Sequence, residues 1–287
     1  MSLTPTRELI PRGRTAVGAF NAVSLEQVEA ILDGAGQAGL PVIVQISENA
    51  VDYHGALAPL AAAALAAIKD SKVPVALHLD HATRLELIKE AVDMGFTSVM
   101  YDGAHLSWEQ NVKLTRETVR WCHERGVLVE AELGEVGGKN GAHTPGVRTD
   151  PGQAARFVAD TGVDALAVAV GTSHHMTVRD AAVDLDLVRR LREAVAVPLV
   201  LHGSSGAPDA TLAAAAAVGM RKVNVATHLN AAFTGSVRAV LAADGDCVDP
   251  RAFLRPARAA MAEQVAHLLR LLAAPALLSK VPRARTH

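Results

Sequence analysis

The sequence predicts a single α/β domain over residues 1–287, a (β/α)8 TIM barrel with an extra C-terminal helix. Short Val-rich runs recur along the chain, and most follow a glycine that ends an amphipathic stretch rich in Ala and Leu. These runs alternate with stretches long enough for helices, which predicts a parallel sheet. Eight such units favour closure into a barrel, because barrels of this class commonly have about 250 residues. An open, doubly wound sheet is the alternative.

Eight strands are predicted in order along the chain. The first is TAVGAF at residues 15–20. The third and seventh, VPVALHL at 73–79 and VPLVLH at 197–202, begin next to a proline, which a strand tolerates at its start. Glycine suits the left-handed residue after a helix, and a Val-rich run suits a strand buried on both faces. This pattern gives the other five strands, within GQAGLPVIVQI, DMGFTSVMY, ERGVLVEAEL, DTGVDALAVAV and AVGMRKVNV.

Helix signals occur between and after these strands. Asp150 before Pro151 predicts a helix start, because aspartate caps a helix and proline fits its first turn. After the eighth strand, a helix is expected over about 228–243, followed by a break at DGDCVDP and a last amphipathic helix over about 251–273. The basic tail at about 279–287 is expected to be disordered.

The charge balance favours a small-molecule partner. The 28 Lys and Arg residues against 30 Asp and Glu give a net charge of -2, so no strong field attracts nucleic acid or a membrane surface. No apolar run reaches the roughly 18 residues of a membrane span. Two cysteines are too few for a disulfide framework, and the first 15 residues lack the apolar segment of a secretory signal. A cytoplasmic location is therefore expected.

Polar side chains cluster where the predicted strands end, which is where such barrels place their chemistry. A single histidine there is more often structural than a ligand, but histidines after strands three, six and seven would meet on one rim. Three imidazoles with an open position are typical of catalytic zinc. Whether His78, on the same strand face as Asp80, is a ligand or the partner of one stays open. The strand-end residues are Asn21, Ser47, Glu48, His78, Asp80, His81, Asp102, His105, Glu130, Glu132, His174, His175, His202 and Asn224.

A loop rich in glycine and serine predicts an anion site on the same rim. The sequence GSSG at 203–206 follows His202 and offers backbone N–H groups at the start of a helix. The adjacent strand ends in NVAT at 224–227, and the loops after strands seven and eight often hold phosphate in such barrels. A phosphorylated substrate is therefore expected.

Ordered motifs over nearly the whole chain resemble the class II fructose- and tagatose-bisphosphate aldolases, most closely the tagatose-type branch. The motifs are AFN at 19–21, HLDHA at 78–82, SVMYDGAHL at 98–106, EAELGEVGG at 130–138, TDP at 149–151, DALAVAVGTSH at 164–174, LHGSSG at 201–206, KVNVAT at 222–227 and DPRAFLRPAR at 249–258. The resemblance implies a lyase that reversibly cleaves a ketose 1,6-bisphosphate to dihydroxyacetone phosphate and glyceraldehyde 3-phosphate.

The resemblance also implies roles for individual residues. The Zn²⁺ ligands would be His81, His174 and His202, with Asp80 as the catalytic acid/base. A Na⁺ or K⁺ ion near the phosphate and a homodimer or homotetramer are further expectations. Two residues match acidic positions that hold a second metal or orient ligands, Asp102 and Glu132. The residues implied to contact the substrate or its phosphate are Gly203, Ser205, Asn224 and Thr227, with Ser47 and Asn21 as weaker matches.

The implied mechanism agrees with the chemistry of these residues. Zinc acts as a Lewis acid on the ketone oxygen and stabilises the charge that develops when the carbon–carbon bond breaks. Asp80 would take the proton from the hydroxyl of the departing aldehyde carbon in cleavage and return it in condensation. No lysine ends a predicted central strand, since Lys222 lies early in strand eight. This placement argues against an aldolase mechanism based on a Schiff-base lysine.

The match fails at a few positions. The family usually carries an acidic residue shortly after the GG of the fifth-strand motif, where this chain has Lys139 and Asn140. Glu135 and His143 are candidates to replace it. These changes bear on the substrate and leave the three zinc histidines and Asp80 in place. Three further departures, where the family usually has glycine, serine and an acidic residue, are His175, Ala104 and His228.

Other functions fit parts of the pattern. An aldolase for a different phosphorylated sugar would share the same motifs. A metal-dependent hydrolase on the same barrel is disfavoured, because the first strand has no His-x-His pair. A non-catalytic metal- or phosphate-binding relative is suggested by Lys139 and Asn140. The retained Asp80 argues against that relative, because binding alone needs no acid/base.

Overall fold

The computed structural model describes residues 3–134, 148–173 and 178–274. Eight parallel strands pair in sequence order, and β1 also pairs with β8, so the sheet closes into a barrel. The predicted fold class is confirmed. The strands are β1 Val17–Asn21, β2 Val42–Ser47, β3 Val75–Ala82, β4 Ser98–Tyr101, β5 Leu128–Leu133, β6 Ala165–Val168, β7 Leu199–Leu201 and β8 Met220–Val225.

Helices surround the barrel and connect successive strands. Short α1 precedes β1, two helices separate β2 from β3, and two follow β8. Within the described residues the helices are α1 Thr6–Leu9, α2 Leu25–Ala38, α3 Glu48–His54, α4 Ala58–Lys69, α5 Leu85–Asp93, α6 Trp108–His123, α7 Pro151–Thr161, α8 Leu185–Ala194, α9 Asp209–Val218, α10 Thr227–Ala243 and α11 Pro250–Ala273.

Local sequence signals explain where these helices begin. The Asp150 side chain accepts a hydrogen bond from Gln153 N at 2.8 Å, so the predicted start of α7 is confirmed. Ser24 and Ser47 cap α2 and α3 in the same way. Each cap satisfies a backbone N–H that the helix itself leaves without a partner.

Element boundaries differ most from the sequence prediction at β3 and β7. β3 runs to Ala82 rather than ending at residue 79, and its register against β4 shifts between Leu79 and Ala82. β7 covers only Leu199–Leu201, shorter than the predicted 197–202, and its register against β8 shifts between Leu199 and Val200. The last two helices begin within one residue of the prediction. The predicted tail at 279–287 lies outside the described residues.

The two ends of the barrel differ in character. At the N-terminal end, Leu9 packs in an apolar cluster with the β1 residue Val17 and the β2 residue Ile43. Ile10 packs against this cluster and against a second one that includes Leu128 and Val200. These side chains fill the interior of the barrel near its N-terminal end.

The described residues contain no single helix with the length and apolar composition needed to cross a membrane. The α3–α4 pair meets those criteria only when its members are joined, and it is bent by 114°.

The contact between α2 and α11 depends on a glycine. A Cβ atom added at Gly34 would lie 2.5 Å from the carbonyl oxygen of Ala262 and 2.6 Å from Val265 Cβ. Because these atoms belong to a packed helix, we expect Gly34→Ala to lower the free energy of unfolding by roughly 1–3 kcal/mol. Chemical denaturation measures this change.

Gly36→Ala in the same helix is the matched control. No atom lies within 4 Å of a Cβ added at Gly36. Alanine suits a helix better than glycine by about 0.5–1 kcal/mol, so this change should leave stability unchanged or raise it. Equal destabilisation by both substitutions would contradict the packing account.

Candidate active site

A cavity of about 480 Å³ opens at the C-terminal ends of the strands. His202 and Glu132 are fully buried next to it. His174 lies outside the described residues, as do His175 and the 135–147 segment with the Lys139–Asn140 departure. Of the site residues expected from the sequence, those that line the cavity are Asn21, Ser47, Asp80, His81, Asp102, Gly203, Ser205, Asn224 and Thr227.

Asp80 and His81 both face this cavity although they are consecutive in β3. In a regular strand, consecutive side chains point to opposite faces. The register of β3 against β4 breaks between Leu79 and Ala82, and His81 has a φ of 53°. This left-handed conformation is uncommon outside glycine and occurs where the surrounding structure enforces it, often at functional sites. The irregularity brings the His81 side chain to the same side as Asp80.

Side chains from β3 and β5, and from the residues just after β4 and β7, converge around His81. Asp102 Oδ2 lies 2.8 Å from His81 Nδ1, which leaves Nε2 directed at His202. His202 Nδ1 lies 3.0 Å from that Nε2 and 3.6 Å from Glu132 Oε2. Two imidazole nitrogens bound to one tetrahedral ion at 2.0–2.1 Å are roughly 3.3 Å apart. The described donor set therefore fits a divalent metal ion between the two histidines.

Two overlapping groups of side chains offer candidate ligand atoms within 4.8 Å of one another. One contains Asp80, His81 and His202, and the other contains His81, Asp102 and Glu132. Nitrogen and carboxylate oxygen are both ligands that zinc accepts. The two groups share His81, so this residue lies at the centre of the candidate metal site.

Glu130 holds His202 through Nε2, the ring nitrogen that does not face His81. His202 Nε2 lies 2.9 Å from Glu130 Oε1, and both side chains are buried. Since a carboxylate only accepts, Nε2 carries the proton and Nδ1 presents its lone pair to the metal position. Burial lowers the pKa of His202 to about 4, so the ring is neutral near pH 7. The Asn224 amide nitrogen, 3.1 Å from Nε2, is then a neighbour rather than a donor to it.

Glu130 is in turn fixed by Lys222. Lys222 Nζ lies 2.8 Å from Glu130 Oε2, with both side chains 1% exposed. Burial acts to raise the pKa of Glu130, but the Lys222 ammonium and the hydrogen bond from His202 outweigh it, and the pKa falls well below its ordinary value. Among the described residues, Lys222 does not line the active-site cavity.

His78 belongs to this interior cluster. Its Nδ1 lies 2.7 Å from Ser98 Oγ, and its Nε2 lies 4.0 Å from Glu130 Oε2. Burial lowers the pKa of His78 to about 3, so the ring is neutral. It is absent from both described groups of candidate ligands. The strand pattern left open whether His78 is a metal ligand or the partner of one. The structure favours the second role, with His78 beneath the candidate metal site.

We expect Glu130→Gln to weaken zinc binding by about 10–100-fold, because residues that orient a metal ligand typically contribute that much. A neutral amide holds the His202 ring less firmly than the carboxylate does. Competition with a chromogenic chelator measures the affinity, and Glu193→Gln on the exposed face of α8 is the control.

Removing Glu130 also leaves the Lys222 charge buried without its partner, which is itself destabilising. The double variant Glu130→Gln/Lys222→Met removes both charges and separates the two effects. Stability should recover in the double variant while zinc binding stays weak. Wild-type zinc affinity in a folded Glu130→Gln protein would contradict the role of Glu130.

Two amides hold the carboxylate of Asp80. Asn21 Nδ2 donates to Oδ2 at 2.8 Å, and Asn224 Nδ2 donates to Oδ1 at 3.4 Å. Burial acts to raise the pKa of Asp80, but the imidazoles of His81 and His202 and the Lys222 ammonium outweigh it. The pKa falls below its ordinary value, so Asp80 is a carboxylate that can accept a proton.

The loops after β7 and β8 form the opposite wall of the cavity. Residues Ser204–Gly206 form a short 3-10 helix, and Ser205 Oγ accepts a hydrogen bond from Ala226 N at 3.3 Å. Thr227 begins α10, a helix of 17 residues with no side-chain cap. Its first N–H groups therefore lack a capping side chain, and such groups favour an anion.

Gly203 brings this wall close to the chain that leads to His174. Its φ is 64°, and an added Cβ would lie 2.7 Å from the carbonyl carbon of Ser173. Thr172 Oγ1 donates to the His202 carbonyl oxygen at 2.6 Å. Only glycine fits position 203, and the last described residue before His174 is packed against it.

The chain matches, over residues 8–275, the family model described as fructose-bisphosphate aldolase class-II. It belongs to the class II fructose-bisphosphate aldolase family. The fructose-bisphosphate aldolase of Geobacillus stearothermophilus is 39% identical over 268 residues, which cover 91% of this chain and 93% of the relative. The 6-phospho-5-dehydro-2-deoxy-D-gluconate aldolase of Halalkalibacterium halodurans is 38% identical over 271 residues, which cover 92% and 94%.

A solved structure agrees with this aldolase assignment. The crystal structure of the YdjI aldolase from Escherichia coli K12 matches with a TM-score of 0.78 at 32% identity, covering 91% of this chain and 92% of that chain. The family resemblance and the lyase class are confirmed. Aldolases of this family act on phosphorylated sugars, and the relatives include two different aldolases.

Sequence reasoning gave no role to several polar residues inside this aldolase barrel. The sequence did contain a signal for them, because each of these polar residues interrupts a strand at a position expected to be buried. Burying a polar group costs free energy unless it is paired, which indicates an internal hydrogen-bond network. The residues are Gln45, Glu130 and Lys222.

Proposed function

We propose that this aldolase catalyses the reversible, zinc-dependent cleavage of fructose 1,6-bisphosphate or tagatose 1,6-bisphosphate to dihydroxyacetone phosphate and glyceraldehyde 3-phosphate. The observation that carries the proposal is the approach of His81, His202 and Asp80, with ligand atoms within 4.8 Å of one another at the cavity. A loop suited to phosphate lines the same cavity. His174 is the proposed third zinc ligand.

Two residues of the proposed zinc site are oriented by carboxylates. When bound, zinc supplies a Lewis acid that stabilises negative charge on the ketone oxygen as the carbon–carbon bond breaks. His81 would bind it through Nε2 and His202 through Nδ1, because Asp102 and Glu130 hold the other ring nitrogens. Asp102, on the cavity wall, and Glu132, beneath it, are the proposed orienting acids or the ligands of a second ion.

Asp80 would move the proton. Each of its carboxylate oxygens accepts one amide hydrogen bond and keeps a further lone pair. In cleavage it would accept the proton of the hydroxyl group on the departing aldehyde carbon, and in condensation it would return that proton. Asn21 and Asn224 hold the carboxylate in place, and Asn224 is the proposed contact to the ketone half.

The phosphate of the dihydroxyacetone half would bind between the loops after β7 and β8. Gly203, Ser205 and Thr227 line this wall, and a Na⁺ or K⁺ ion is proposed to offset part of the phosphate charge. Ser47 lines the cavity and accepts from Ala50 N at 3.2 Å, so its O–H can still donate to the substrate.

A second candidate is an aldolase whose substrate carries no phosphate on the aldehyde half. The observation that favours it is the cavity lining, which contains no arginine or lysine within the described part of the chain. A distal phosphate usually gains much of its binding from a cation. A relative named for 6-phospho-5-dehydro-2-deoxy-D-gluconate cleavage is 38% identical, which supports keeping this candidate.

Parallel measurement of kcat/KM distinguishes the two candidates. The substrates are fructose 1,6-bisphosphate, tagatose 1,6-bisphosphate and 6-phospho-5-dehydro-2-deoxygluconate, each with zinc-loaded protein. Highest kcat/KM on either bisphosphate supports the first proposal. Cleavage of the third compound alone would overturn it in favour of the second. A homodimer or homotetramer and a cytoplasmic location stay predictions.

A further inference from the structure

A second cavity lies at the opposite end of the barrel. Its volume is about 430 Å³, and its wall contains Leu128, the first residue of β5, and Arg221, the second residue of β8. Pro198, just before β7, also lines it. These are N-terminal strand ends, whereas the candidate active site lies at C-terminal ends. An apolar cluster inside the barrel, which includes Leu128 and Val200, fills the space between the two cavities.

Among the residues that the structure describes, four arginines line this cavity with only one carboxylate, Asp164. That carboxylate already lies 2.8 Å from His123 Nε2 and accepts from Val129 N at 2.8 Å. Within residues 3–134, 148–173 and 178–274, none of the four arginines forms an ion pair with an acidic side chain. The cavity therefore carries an excess of positive charge. The arginines are Arg7, Arg12, Arg192 and Arg221.

One of these arginines is fixed in position, and a second lies near it. Arg221 is 9% exposed, and its Nη1 donates to the carbonyl oxygens of Ala216 at 2.9 Å and Met220 at 2.8 Å. Arg192 packs against Gly219, where an added Cβ would lie 3.1 Å from Arg192 Cβ. Burial and the nearby Arg192 charge lower the pKa of Arg221. Like charges held near each other repel, so a bound anion would lower the energy of this arrangement.

We propose that this cavity is a binding site for a small phosphorylated metabolite, separate from the substrate site. Guanidinium groups present paired N–H donors that match phosphate oxygens. An apolar part of the wall, formed by Ile10, Val197 and Pro198, suits the carbon skeleton of an organic phosphate. The cavity is concave and close to the size of a small-molecule pocket, which favours a metabolite over a macromolecular partner.

Equilibrium dialysis with radiolabelled glycerol 3-phosphate at low ionic strength tests the proposal, with inorganic phosphate as the second probe. We expect one class of binding sites whose affinity Arg12→Ala and Arg192→Ala each lower by about tenfold. The double variant Arg12→Ala/Arg192→Ala should lose this class of sites. Arg190 is exposed on the same helix α8 and does not line the cavity, so Arg190→Ala should leave the affinity for the probe unchanged. Ser205→Ala, in the candidate active site, should also leave it unchanged.

Loss of all binding in Ser205→Ala would place the anion at the active site and overturn the proposal. Equal binding by wild-type protein and the Arg12→Ala/Arg192→Ala variant would overturn it as well. If the double variant binds the probes as well as the wild-type protein does but its sedimentation coefficient differs, the arginines belong to a contact between subunits. Tighter binding of glycerol 3-phosphate than of inorganic phosphate is expected, because only the organic probe uses the apolar wall.

Discussion

Asp80→Asn is expected to lower kcat for aldol cleavage by about 10²–10⁴-fold, the range typical of a lost general acid/base. Asparagine has nearly the same shape, and its one amide oxygen still accepts from either Asn21 or Asn224, while its NH2 group faces the other amide. It cannot accept the substrate's hydroxyl proton in the way a carboxylate does. Steady-state release of dihydroxyacetone phosphate measures the loss, and zinc content is measured in the same sample.

The matched control for Asp80→Asn is Asp52→Asn. Asp52 is an exposed acid on α3 that pairs with Arg84 at 2.6 Å and does not line the cavity. Its replacement should leave kcat within experimental error. If Asp80→Asn kept wild-type kcat with full zinc content, another group would carry the proton and the assignment of Asp80 would be wrong.

His81→Ala is expected to abolish stoichiometric zinc binding and, with it, detectable cleavage. His81 is shared by both described groups of candidate ligands, and its Nε2 faces His202 Nδ1 at 3.0 Å. Removing it leaves His202 without its nearest nitrogen partner and opens one coordination position. Metal analysis after dialysis and isothermal titration with zinc measure the effect.

His123→Ala provides the matched control for His81→Ala. His123 also pairs with an aspartate at 2.8 Å, but on the outside of the barrel. Loss of that pair should leave zinc binding and kcat unchanged. Full zinc occupancy in His81→Ala, with the fold verified by circular dichroism, would contradict the proposed site.

The sequence predicted the barrel because its signals are local. Glycine after a helix and a Val-rich strand repeat along the chain, and each repeat is interpretable alone. The placement of Asp80 on the rim followed from the rule that strand ends carry the chemistry. The placement of His81 beside it did not follow, since alternation puts consecutive residues on opposite faces. Only the irregular end of β3 and the left-handed backbone of His81 explain that arrangement.

The roles of Glu130 and Lys222 could not be predicted for a different reason. They are 92 positions apart, and their pairing at 2.8 Å depends on barrel closure. Periodicity can show that each side chain is buried, but the partner of a buried charge depends on tertiary geometry. The role of His78 also depends on tertiary geometry. The strand pattern left two roles open, ligand or partner of a ligand, and its contacts with Ser98 and Glu130 favour the second.

Zinc-dependent cleavage is measured by the rate of dihydroxyacetone phosphate release from fructose and tagatose 1,6-bisphosphates, with zinc-loaded protein compared against metal-depleted protein. We expect release by the zinc-loaded protein, loss of release on metal depletion, and recovery when zinc is added back. Release that persists in metal-depleted protein would contradict zinc dependence. No release from either sugar with zinc bound would contradict the proposed substrates.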